Sequence, residues 1–518
     1  MASSHSPILA KSLQRFGDCS LESFLNTFQI ETKESYQDRE DLHQVICNYI
    51  SSLLGKSIAL RAVKDLAQTP MVLTANHHGV DYFAQSVQSS LLFSLILQRQ
   101  NPAASTIPVF ACGNVPLNNL TYPRGLMIYG VNPENISKMP IKVPIFSDRM
   151  KRTVVSAARP YDMLMIQRAV KRVETLLKDK KISSAIAGPL DAILNQDYSD
   201  PDLIQLNSYS QQSVVLNHRI WRRLFQKAHP PLDMVYLELE QIAAKLLEID
   251  LQNPKSLAWL IMFNPQLRDK VVHGLDGSKA CWQNLKLAGR HNLDLLNYKP
   301  GNKIDGCGTH FFWGIDSENR RFPLCLDSIH PQQPVLKGKD DRGEVWTVAF
   351  NPTSVMRSLK ENKLSPSLFT SYLTLSLARG LVCVGGYYQS EYLPAMQGGV
   401  VRALREFPQY EIVASFVEKV NTTRYLSGMQ TAMALIDQGA LVPAGPLEIM
   451  ASGGLRTEEL DRLASLTVKD AHVASLFDTL SDVAPQAAKT EGLKAALSRE
   501  CYQLLKEKIV VHENECAA

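Results

Sequence analysis

MVLTANHHGVDYF, residues 71–83, is the stretch on which the reading of the fold turns. An apolar run, Met71-Val72-Leu73, gives way to Thr74, Asn76, His77 and His78, then to Gly79 and Asp81, and residues 82–100 follow with apolar side chains at helical spacing. That order predicts a strand, a turn and a helix. In open α/β sheets the turn at a strand's carboxyl end is where ligands bind.

Working outward, "IPVFAC" (107–112) and "KVPIFS" (142–147) repeat the short apolar run, and 161–181 repeats the helical spacing. The fold class expected is α/β, a mostly parallel α/β layer with a helical N-terminal lead-in, a small antiparallel sheet and a helical C-terminal segment. Five segments follow from the composition shifts: a helical lead-in at 1–68, an α/β segment with the candidate site at 69–200, a mainly helical segment at 201–302, a mixed segment with antiparallel strands at 303–455, and a helical segment at 456–518. In the third, "PLDMVYLELEQIAAKLLEID" (231–250) reads as an amphipathic helix. In the fourth, "THFFWGIDSENRRFPLCLD" (309–327) reads as two strands turning at 317–319, with "EVWTVAF" (344–350) as a third. Asn351-Pro352 and Ser365-Pro366 mark helix starts, and Pro485 and Gly492 break the last helical stretch.

The 518 residues exceed what one hydrophobic core usually serves, and 45% hydrophobic with 20% charged residues is ordinary for a globular chain. With 55 basic against 51 acidic residues the net charge is only +4, and the basic stretch 168–181 has the spacing of a solvated helix face. No nucleic-acid partner is expected. The nine cysteines occur singly, without a C-x-x-C pair, which argues against a zinc ribbon or disulfide framework and makes a cytoplasmic location the expectation. No transmembrane segment is expected, since "LLFSLILQ" (91–98) is too short to span a bilayer. G-x-G-x-x-G, P-loop, H-E-x-x-H and G-x-S-x-G motifs are absent.

His77, His78 and Asp81 form the candidate catalytic centre. Two imidazoles and a carboxylate suit a divalent zinc, iron or manganese ion, provided the loop turns at Gly79 so that both histidines reach one point. A metal-activated water would then make the protein a hydrolase acting on a small polar metabolite, with oxidative chemistry open if the metal is iron. The bland readings are an aspartate helix cap and carbonyl-bonded core histidines. Candidate substrate contacts are Arg124 in "CGNVPLNNLTYPRG" (112–125), Arg149 in "PIFSDRMKR" (144–152), and Gln389 and Tyr392 in "GGYYQSEYLP" (385–394). Cys307 and His310 offer a second, weaker pairing at a glycine-rich strand start.

Asn76-His77 with Asp81 also resembles, over about ten residues, the Asn-His-x-x-x-x-Asp motif of glycerolipid acyltransferases, whose histidine deprotonates the acceptor hydroxyl and whose aspartate orients it. Asp81 falls one residue short of that spacing, and no Phe-Pro-Glu-Gly motif follows. The resemblance implies a metal-free acyl or group transferase with a histidine general base. A third reading is a non-enzymatic interaction protein in which the histidine turn is structural.

Overall fold

The structure, a computed structural model, describes residues 7–28, 34–226, 231–291, 306–327, 333–437, 439–456, 458–459, 462, 465–483 and 492–513. It is a mixed α/β fold built on a five-stranded parallel sheet. The strands are numbered in chain order. β1 is Met71–Leu73, β2 Thr106–Ala111, β3 Gly125–Ile128, β4 Ile141–Pro144, β5 Asp233–Glu238, β6 Phe312–Ile315, β7 Arg321–Asp327 and β8 Val335–Lys339. β9 is Val345–Ala349, β10 Leu364–Pro366, β11 Val382–Gly386, β12 Tyr425–Ser427, β13 Ala432–Asp437, β14 Ala440–Pro443 and β15 Val510–Glu513. The parallel sheet runs β12-β11-β1-β2-β5, so it draws strands from three of the five sequence segments.

Alternation along these strands separates two cores. Met71, Leu73, Ile107, Val109, Met234, Tyr236, Val382 and Val384 pack into one cluster. Val72, Phe110, Val235, Leu237 and Cys383, which point the other way, pack into a second. Helices Glu40–Leu53, Lys56–Gln68 and Leu239–Asp250 supply the second core. Helix Ala84–Gln100 supplies the first and is buried along nearly its whole length. Its Gln88 side chain donates to the carbonyls of Ala432 and Ala444 and accepts the N–H groups of Thr431 and Ala432, which ties the helix to β13 and β14.

β5, buried on both faces like β1 and β2, lacks the turn residues that mark their ends, and this explains the largest departure from the sequence reading. Residues 231–250 are not one helix: Asp233–Glu238 is the edge strand of the parallel sheet, and the helix begins only at Leu239. Only Lys142–Pro144 of the run at 142–147 lie in a strand, and β4 pairs antiparallel with β3, apart from the parallel sheet. Ser365 and Pro366 lie in β10, and the N-cap of the following helix is Ser367, whose hydroxyl accepts the Thr370 N–H. The Asn351-Pro352 helix start stands as expected. The antiparallel sheet has the order β10-β6-β7-β8-β9. The C-terminal segment contains helices Val468–Ala474, Leu476–Val483 and Leu493–Leu505 and closes with β15, paired with β13. Pro485 and residues 292–302 lie outside the described residues. Among the described residues, no helix is long and apolar enough to cross a membrane.

Candidate functional site

A cavity of about 920 Å³ opens at the carboxyl edge of the parallel sheet. Thr74, Asn76 and His77 reach it from beyond β1, Cys112 and Asn114 from beyond β2, and Glu240 from beyond β5. Gln389 and Tyr392 reach it from beyond β11, and Trp313 and Arg321 come across from the antiparallel sheet.

The histidine turn is fixed from several sides. β1 and β2 continue past their regular pairing into a bridge between His77 and Cys112: the Cys112 N–H donates to the Asn76 carbonyl, and the His78 N–H donates to the Cys112 carbonyl. Bridge partners share a face, so the His77 and Cys112 side chains stand side by side, with backbones about 5 Å apart. The Tyr236 hydroxyl donates to the His77 carbonyl at 2.7 Å. Gly79 then turns the chain with φ +115°, and a Cβ there would stand 2.3 Å from Pro123 Cβ. Asn217 clamps the turn, donating to the Gly79 carbonyl and accepting the Asp81 N–H.

This turn sends the three expected metal ligands in three directions. His77 faces the cavity. His78 is fully buried, stacked on Tyr236, with Nε2 2.9 Å from Ser210 Oγ. Ser210 donates its own proton to Glu238 at 2.6 Å, so Nε2 of His78 is the donor and Nδ1, which is buried without a partner, carries the lone pair. Burial pushes His78 down to about 4. Asp81 accepts the Asn76 amide at 2.9 Å and the Phe83 N–H at 3.1 Å, just ahead of helix Ala84–Gln100. Burial pushes its carboxyl up to about 7 against the pull of those bonds. Asp81 makes no hydrogen bond to His77, so it does not orient that imidazole. Among the described residues, no three His, Cys, Asp or Glu side chains are arranged to hold a metal ion. The donor set expected for zinc, iron or manganese therefore does not fit this turn.

Asn119 and Thr121 orient His77 instead. Asn119 Nδ2 donates to the Pro116 carbonyl, and its Oδ1 accepts the Thr121 N–H and hydroxyl, both at 2.8 Å. The amide orientation is thus assigned by its neighbours, and its oxygen faces His77 Nδ1 at 3.3 Å. An acceptor at that position makes Nδ1 the protonated nitrogen and leaves the lone pair on Nε2. Nε2 has no hydrogen-bond partner among the described residues. Burial lowers the His77 pKa below its ordinary value, with the Arg321 charge adding to that and the Asn119 bond opposing it. The imidazole is therefore neutral at pH 7.

Beside it, Cys112 Sγ donates to Glu240 at 2.9 Å, and Glu240 also accepts the N–H groups of Gly113 and Asn114. Burial raises both the thiol and the carboxyl, so the pair keeps its proton. Gln389 lines the cavity, bonded to Thr74, Tyr372 and the Cys383 carbonyl. Tyr392 lines it next to Tyr372.

The other two expected contacts lie elsewhere. Arg124 is buried, paired with Asp148 at 2.5 Å and bonded to the Tyr122 hydroxyl. Arg149 is exposed on the one-turn helix Asp148–Met150 and does not line the cavity. Cys307 lines the cavity, but His310 does not: its Nδ1 accepts the Leu326 N–H and its Nε2 meets Asn284 Oδ1. Sequence reasoning passed over Cys112, Asn119, Thr121, Glu240 and Arg321. The asparagine-rich loop after β2 was the available signal for Asn119, and Glu240 was hidden by reading 231–250 as a helix. No family model, curated protein or solved structure matches this chain.

Proposed function

We propose that this protein is an enzyme transferring an acyl or comparable group to a small polar acceptor, with His77 as general base. The observation that carries the reading is the imidazole itself. It is neutral, its Nδ1–H is taken by Asn119, and its Nε2 lone pair opens on a cavity at the sheet edge. An acceptor O–H bonded to Nε2 gives its proton to the ring as the oxygen's electron pair attacks the electrophilic carbon. The resulting imidazolium keeps its Nδ1–H on Asn119 and returns the Nε2 proton to the leaving group. This chemistry matches the acyltransferase resemblance in its base but not in its orienting group, which is an amide rather than Asp81. Hydrolysis is the same reaction with water as acceptor. Metal-dependent hydrolysis is the weaker alternative, because His78 and Asp81 are engaged away from His77.

The test is release of p-nitrophenol from p-nitrophenyl acetate, with and without a small alcohol as acceptor. His77→Ala is expected to lower kcat/KM by at least about 100-fold, the lower end of general-base effects, with an unchanged thermal midpoint. Activity retained within threefold would refute the base. A change confined to stability would favour a non-enzymatic interaction protein.

A further inference from the structure

Arg321, at the start of β7, differs from the buried Arg379, Arg124 and Arg268 in having no carboxylate partner among the described residues. Arg379 is fully buried and held by two carboxylates, Asp41 and Asp250, and Arg124 is held by Asp148. That is the usual requirement for a charge taken out of water. Arg321 is partly buried in the cavity wall, its Cζ 4.4 Å from the centre of the Trp313 ring, and its Nη1 donates to the Asn114 carbonyl. It forms no ion pair among the described residues, and its Nε and Nη2 have no protein partner there. Neither nitrogen is sealed off by protein, and the residue faces the open cavity.

The ionisable groups that interact with it are His77, Cys112 and Glu240, the first two of them neutral. Glu240 is the one carboxyl among them, and its oxygens are already taken by Cys112 and by the Gly113 and Asn114 N–H groups. The guanidinium plane is set by Trp313 and the Asn114 carbonyl, which leaves a free edge of the planar fork. That edge matches a carboxylate or a phosphate.

We propose that Arg321 is the docking point for an anionic group, carboxylate or phosphate, on the substrate whose chemistry takes place at His77. The assignment of that anion to the substrate rests on the reading of His77 as base; the anion site itself does not. The cavity thereby selects anionic metabolites over neutral ones.

The experiment is calorimetric titration of the folded protein with inorganic phosphate and, separately, with succinate. It is run on the parent, on Arg321→Gln and on Arg321→Lys. Binding by the parent that weakens at least tenfold in Arg321→Gln, and less in Arg321→Lys, is the expected result. The arm that binds more tightly names the anion. No binding of either anion, or equal binding by Arg321→Gln, would overturn the proposal.

Because Arg321 also holds the Asn114 carbonyl, the parent is tested without substitution as well. Saturating anion is expected to slow phenylglyoxal modification of Arg321, mapped by peptide mass spectrometry, at least fivefold while exposed Arg149 reacts at an unchanged rate. Equal rates at Arg321 would overturn the site. Turnover of p-nitrophenyl acetate by His77→Ala is read separately. Unchanged turnover with intact anion binding would sink the base and leave the anion site standing.

Discussion

Replacing Asn119 by aspartate tests the reasoning about His77 most directly, because it changes the charge opposite Nδ1 and little else in shape. In the parent, Nδ1 faces a neutral amide oxygen at 3.3 Å, and burial holds the imidazole below its ordinary pKa of 6.5. A carboxylate there would attract the imidazolium by about 4 kcal/mol at an effective dielectric of about 20. That is an upper figure of about 3 pK units. Partial exposure of residue 119 and desolvation of the new carboxylate reduce it to roughly 1–2 units.

The His77 titration should therefore move upward by roughly 1–2 units in Asn119→Asp, and the acidic limb of kcat/KM should move with it. The variant's ring stays protonated to a higher pH than the parent's, so its relative activity is lowest on the acid side and recovers as pH rises. Long-range proton–nitrogen correlation spectra of protein carrying ¹⁵N-histidine follow the titration directly. The His77 signal among the 12 histidines is identified by its loss in His77→Gln. The variant also gives up the bond from Nδ2 to the Pro116 carbonyl, so stability should fall by about 1 kcal/mol. A parent spectrum showing the proton on Nε2, or an Asn119→Asp titration within 0.3 unit of the parent on the order of experimental error, would refute the tautomer argument and with it the proposed base.

Burial raises the Asp81 carboxyl to about 7, against 3.8 in the unfolded chain, so the folded protein favours its protonated form. Its favourable contribution is complete below pH 4 and is lost as pH rises through 7. In urea unfolding, Asp81→Asn should therefore gain stability relative to the parent by about 2 kcal/mol between pH 5 and pH 7, and equal slopes would argue against a buried neutral carboxyl. Gly79→Ala meets both a φ of +115° and Pro123 Cβ at 2.3 Å. It should cost at least about 2 kcal/mol in thermal unfolding, and p-nitrophenyl acetate turnover should fall with it as His77 is displaced. Dialysis against 1,10-phenanthroline should leave turnover within about twofold; loss that zinc restores would return the metal reading to first place.

What could be read along the chain was what depends on near neighbours. β1 and β2 stood out as short apolar runs bounded by turn residues, and helix Met163–Lys178 and the antiparallel hairpin at 317–319 show their period in the residues themselves. β5 did not, because it passes from Glu238 straight into the helix at Leu239 with no turn residue to mark its end. The helix that follows it lent its own spacing to the whole of 231–250. The error had a cost at the site, since Glu238 and Glu240 stand where that strand ends. The histidine turn was legible as a turn, and Gly79 takes the positive φ that a bend there requires. Which histidine faces the cavity was not legible, because that is decided by Ser210 and Glu238, more than a hundred residues away.

Asn114 explains why the site is assembled from such distant parts. Its N–H donates to Glu240, its carbonyl accepts from Arg321, and its side chain reaches Pro366, Ser365 and Ser156. One residue thus joins the end of β2 to the end of β5 and to both β7 and β10 of the antiparallel sheet. A buried asparagine with both ends of its amide satisfied holds its neighbours to one arrangement. The same loop, five residues on, presents Asn119 to His77. His77 and Arg321 are therefore positioned by a single segment, 112–121, and any shift of that segment moves both together. A ligand bound between Nε2 of His77 and the free edge of Arg321 would meet two groups whose separation is set by the β2 loop. The asparagines of this loop, more than the adjacent histidines that drew attention first, are what turn the edge of the parallel sheet into a site.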